Sequence, residues 1–128
     1  MNPDIPKPDG PAGLLISRDL IFTSKVVGTA QALGYRIITA GNVALVEAHL
    51  TAWKPVVVLI DLSAGEAASP EAIRGYRAIA PHVPILGFGS HVDTDILQAA
   101  KEAGCDPVLP RSRFSHELPN LIRGYFPE

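Results

Sequence analysis

Asp61 is the residue with the clearest claim to chemistry. It closes the apolar run Val56–Ile60 within PVVVLIDLSAG, residues 55–65. Such a run reads as a strand buried on both faces. A carboxylate at its end needs partners, because an unpaired buried charge is costly. The other reactive groups are scattered. His49, His82, His91 and His116 show no His-x-x-x-His spacing. His91 with Asp93 and Asp95 could gather metal ligands, but an Asp/Thr cluster there more often caps the following helix. Ser90, His91 and Asp61 are the residue types of a hydrolytic triad. FGSHVD nonetheless lacks the closing glycine of a nucleophile elbow, and the triad order is wrong. There is no Gly-x-Gly-x-x-Gly fingerprint or Walker loop, and SRDLIF lacks the glycines of a flavin phosphate loop. The expectation is a non-enzymatic chain with no catalytic residue, metal or cofactor.

The elements that must position Asp61 follow from the alternation of apolar patterns. GLLIS is a short strand, and Phe22, Val26, Ala30 and Leu33 then recur at helical spacing until Gly34. YRIIT is a second strand, and Asn42 can cap the helix VALVEAHLTAW. VVVLID is the third strand. Ser69 followed by Pro70 is a cap and a first-turn proline opening EAIRGYRAIA. VPILGFG is the fourth strand, and TDILQAAKEAG is a helix closed by Gly104. PVLP is a brief fifth strand. LPNLIRGYF is a short last helix with Pro119 near its start, where proline is tolerated. Five strand–helix units in a row predict an α/β fold, a doubly wound five-stranded parallel sheet of flavodoxin-like order, 2-1-3-4-5. Its working site should lie at the carboxyl ends of the strands.

The chain has 128 residues, enough for one domain with its own core. Residues 1–12, with four prolines, read as a flexible tail, and residues 13–128 as the domain. Net charge is −2 with no basic block, so neither nucleic acid nor an anionic membrane is an expected partner. No apolar stretch approaches the roughly 20 residues that span a bilayer, and the N-terminus has no signal-peptide core. The single cysteine, Cys105, excludes an internal disulfide and reads as a small buried hydrophobe. A cytoplasmic location is the simplest expectation. Arg74 and Arg77, about one helical turn apart, read as a solvated face.

Over residues 13–125 the chain resembles the receiver domains of bacterial response regulators. KPVVVLIDL is similar to the family's phosphoacceptor strand, LGY closes the first helix at the usual distance, VPILGFGS matches the fourth strand, and AGCDPVL matches the stretch before the fifth. The resemblance implies that Asp61 stands where the family's phosphoryl-accepting aspartate stands. The family's acidic pair, which holds Mg²⁺, falls on Ser17 and Arg18, with Asp19 one residue further on. Its hydroxyl after the fourth strand falls on Gly89, beside Ser90. Its lysine after the fifth strand falls on Arg111, and the following proline on Ser112.

Those departures change the expected chemistry. Mg²⁺ needs several oxygen ligands, and phosphoryl transfer needs metal and cations to neutralise the moving charge. A cation at Arg18 in place of an acid would repel a neighbouring charge of like sign about 4 Å away by roughly 4 kcal/mol. The expectation is a degenerate, or pseudo-, receiver in which Arg18, Arg111 or both pair with Asp61. Ser17, Asp19, Gly89 and Ser90 should form the pocket rim. The chain is expected to stand alone and to work through protein partners or a homodimer. Residues 94–125, with Arg113, Phe114, Leu118 and Tyr125, are the expected contact face. Two alternatives remain open: a conventional phosphoaccepting response regulator using Asp61, and a small flavodoxin-like enzyme or ligand binder.

Overall fold

Runs that are apolar at every position form strands buried on both sides, and they occupy the middle of this protein. The structure, a computed structural model, describes residues 5–127. Five strands alternate with five helices: β1 (Ala12–Ile16), α1 (Leu20–Ala32), β2 (Arg36–Ala40), α2 (Val43–Ala52), β3 (Val58–Asp61), α3 (Pro70–Ile79), β4 (Ile85–Gly89), α4 (Thr94–Ala103), β5 (Val108–Pro110) and α5 (Arg111–Tyr125). A 3₁₀ turn, Gly65–Ala68, precedes α3. All strand pairs are parallel and the order is β2-β1-β3-β4-β5. This is the expected doubly wound sheet.

Successive strand residues point to opposite faces, and the core divides accordingly. Leu14, Ile16, Val58, Ile60 and Ile85 pack with Val46, Leu50, Ile73 and Tyr76 on one face. Leu15, Leu59, Leu86 and Phe88 pack with Val26, Ala30, Phe114, Leu118 and Ile122 on the other. Tyr76 is fully buried and its hydroxyl donates to the Ala67 carbonyl at 2.7 Å. Burial, then the charges of Glu47 and Glu66, push that phenol well above its ordinary range.

The expected caps form: Asn42 accepts from the Leu45 N–H, and Ser69 from the Ala72 N–H. Gly34 follows α1 at φ +83°, a left-handed conformation that costs glycine little. β1 begins at Ala12, one residue before GLLIS, and Ile5 packs against the core. Residues 1–4 of the expected tail lie outside the described residues. Among the described residues no helix is long and apolar enough to cross a membrane.

Three sequence expectations are corrected. α5 runs from Arg111 to Tyr125, so Pro119 lies inside the helix. Burial of Phe114, Leu118 and Ile122 at four-residue spacing outweighs the bond that Pro119 cannot donate to the Ser115 carbonyl. The same burial removes Phe114 and Leu118, 0% and 1% exposed, from any contact surface. Arg77 is a clamp rather than a solvated side chain. Its Nη1 donates to the carbonyls of Ala80, Pro81 and Val83, and its Nη2 to that of Gly104 at 2.8 Å.

Candidate functional site

Parallel register brings the ends of β1, β3 and β5 together. Ile16 pairs with Ile60, Asp61 with Phe88, and Gly89 with Pro110. The residues that follow, Ser17 and Arg111, therefore flank Asp61, which is 1% exposed. Its carboxylate is held from several sides. Oδ1 accepts from the Ser63 N–H at 2.9 Å and from Arg111 Nη2 at 2.8 Å. Oδ2 accepts from the Ser17 hydroxyl at 3.4 Å. The Ser17 oxygen in turn accepts the Asp19 N–H at 3.2 Å.

Arg111 is fixed as firmly as the acid it meets. Nη2 also donates to Ser63 Oγ at 2.8 Å. The guanidinium carbon lies 4.9 Å from the Phe22 ring centre and 5.7 Å from that of Phe88, within cation–π range. A guanidinium keeps its proton and suits a carboxylate. Here it supplies the countercharge that a buried acid requires.

The remaining rim residues divert their polar groups elsewhere. Arg18 is exposed, and among the described residues no carboxylate lies within 4.0 Å of it. Its Nη1 sits over Gly65, and its aliphatic stem beside Gly41. Of the two arginines expected near Asp61, the structure thus brings in Arg111 and turns Arg18 outward. Asp19 is the N-cap of α1, its Oδ1 accepting from the Phe22 N–H at 3.0 Å. Ser90 accepts the Val92 N–H in the turn after β4. Arg113 pairs with Glu117 at 2.6 Å on the surface of α5, and Tyr125 is half-buried. Burial, then Asp106, raise the Tyr125 phenol. No three His, Cys, Asp or Glu side chains converge among the described residues, so His91, Asp93 and Asp95 do not form a ligand cluster.

Two contributors escaped the sequence reading. Ser63 binds both members of the pair, and nothing in its spacing marks it. Phe22 carries the guanidinium, whereas its helical spacing identified it only as an apolar residue. The Asp19 cap was legible in principle, since an aspartate directly before a helical period is a common N-cap.

No protein-family model matches the chain, and no curated protein matches it. Its fold is that of response-regulator receiver domains. It superimposes on a response regulator from Thermotoga maritima with TM-score 0.75 at 20% identity, covering 90% of this chain and 96% of that one. A sensor histidine kinase receiver domain from Pseudomonas aeruginosa, with magnesium coordinated in its active-site cleft, gives TM-score 0.78 at 18% identity over 91% and 97%. The beryllofluoride-activated NtrC4 receiver domain, a dimer, gives 0.72 at 17% over 90% and 98%.

The magnesium of such a cleft does not fit the residues present here. A hard dication takes several oxygen ligands at near-octahedral positions. At this site Asp61 is the one carboxylate facing inward, and it is already bound by a guanidinium, a hydroxyl and an amide. Asp19 spends a carboxylate oxygen on its helix, and Ser17 and Arg18 offer no negative charge.

Proposed function

We propose that this protein is a receiver-like signalling domain that acts by binding other proteins, without Mg²⁺-dependent phosphorylation of Asp61. The observation that carries the reading is the 2.8 Å contact between Arg111 Nη2 and Asp61 Oδ1. It supplies the acid with an internal countercharge and occupies one of its two carboxylate oxygens. In this reading the domain is non-enzymatic, cofactor-free and cytoplasmic. Its output runs through the outer face of α4 and α5, where Arg113 and the 48%-exposed Ile96 lie, toward a partner protein or a second copy.

The test is Mg²⁺ titration followed by NMR, with and without beryllofluoride, alongside intact-mass measurement after acetyl phosphate treatment. The expected result is no site-localised shift at millimolar Mg²⁺ and no mass gain. Acyl phosphate on Asp61, or millimolar Mg²⁺ affinity at the strand ends, would overturn the reading in favour of a conventional phosphoacceptor.

A further inference from the structure

A cavity of about 590 Å³ opens between α1, the turn after β4 and the start of α5. Arg111 lines it and Asp61 does not. Its cationic wall is Lys25 and Arg111; His91 adds an imidazole, Ser90, Ser112 and Ser115 add hydroxyls, and Phe22 supplies an apolar side. No aspartate or glutamate lines it.

The donors in this wall are only partly used. Lys25 donates to Ser115 Oγ, and among the described residues no carboxylate lies within 4.0 Å of its ammonium. An ammonium has three donors, so charge and hydrogen-bonding capacity remain. Arg111 spends Nη2 on Asp61 and Ser63, while Nη1 and Nε have no acceptor among the described residues. α5, fifteen residues long, begins without a side-chain cap, and Ser112 in its first turn lines the cavity near the positive end of the helix.

An uncompensated cation and several hydroxyls around one opening favour an oxyanion with several acceptor oxygens. The volume falls within the roughly 300–1,000 Å³ of small-molecule sites. It exceeds what a bare phosphate fills, and Phe22 offers a surface for an apolar remainder. We propose that this cavity binds a phosphate monoester, with Lys25 as its main charge contact. The proposal does not depend on whether Asp61 is ever phosphorylated.

The experiment is titration of the protein with phenyl phosphate, inorganic phosphate and phenol, followed by amide NMR. Phenyl phosphate should give saturable shifts at Lys25, His91, Ser112 and Ser115, inorganic phosphate weaker shifts at the same residues, and phenol none. Lys25→Ala should weaken phenyl phosphate binding about tenfold, and Lys25→Arg should restore it. Lys25 is exposed, so both variants should fold, which a thermal melt checks. Absence of saturable shifts, undiminished binding by Lys25→Ala, or equal binding of phenol would overturn the proposal.

Discussion

A Cβ placed on Gly89 would stand 3.3 Å from the Cβ of Leu62, with Leu97 Cδ2 at 3.2 Å on another side. Leu62 and Leu97 thus occupy the space that a side chain at the end of β4 would need. The backbone of Gly89 has no left-handed strain, so the obstacle is packing alone. Gly89→Ser should therefore cost about 1–3 kcal/mol in urea unfolding through overcrowding. Gly28→Ala, in an exposed stretch of α1 with open space around it, should instead stabilise by about 0.5–1 kcal/mol.

Removing the cation beside Asp61 leaves a buried carboxylate with only neutral donors. Arg111→Ala is expected to lose about 2 kcal/mol, since hydrogen bonds to charged groups contribute roughly 1.5–3 kcal/mol. Arg111 reaches both Asp61 and Ser63 with Nη2 alone; lysine keeps the charge but not the planar head that Phe22 and Phe88 flank, so Arg111→Lys should recover part of the loss. Denaturant midpoints of the two variants measure this; an unchanged midpoint for Arg111→Ala would show that Ser17 and Ser63 suffice.

Cys105 lies under Gly87, where its Sγ would be 3.2 Å from an added Cβ. Burial pushes its thiol from 9.0 up to about 12, against the pull of Arg77. Because the thiolate is the nucleophile, the reactive fraction at pH 8 falls about 1,000-fold. Disulfide-exchange reagents should label the folded protein at the rate of its opening, and labelling should become fast in denaturant.

Stability should also respond to mild acid through His49. Its Nδ1 accepts the Trp53 indole N–H at 3.0 Å, which requires that nitrogen to be unprotonated. Burial lowers the imidazole below its ordinary 6.5. Above pH 6.5 the ring is neutral in both states and its contribution is fully present. Below that, the unfolded chain takes up the proton first, so stability falls with pH until the folded ring titrates as well. Melting temperature should drop below pH 6.5, and His49→Gln should flatten that part of the profile. Trp53 fluorescence follows the same bond.

Periodicity carried the fold because burial on two faces leaves its mark in the three central strands, from Leu14–Ile16 to Ile85–Phe88. The site was legible only as a location. Asp61 is marked by its place at the end of an apolar run, but Arg18 and Arg111 are indistinguishable on paper as its partners. What separates them is the approach of neighbouring elements: Phe22 and Phe88 guide one guanidinium inward, while the other spreads over Gly41 and Gly65. Phe114 and Leu118 illustrate a related limit. Their spacing marks one helix face, and only the packed sheet reveals that this face is internal. Arg77 looked solvated because its four acceptors are backbone carbonyls, which have no sequence signature.

Pro119 removes one bond from the middle of α5. With no donor from Pro119 to the Ser115 carbonyl, the first two turns of the helix are joined to the rest by one bond fewer. Those turns carry Arg111, Ser112 and Ser115 and are anchored by Leu118 and by Phe114 stacked on Phe88 at 4.0 Å, as the later ones are by Ile122 and by Phe126 stacked on Tyr35 at 4.5 Å. Packing on both sides of the break thus keeps Arg111 on the acid, and the continuity of this helix rests on its buried face rather than on an unbroken ladder of bonds.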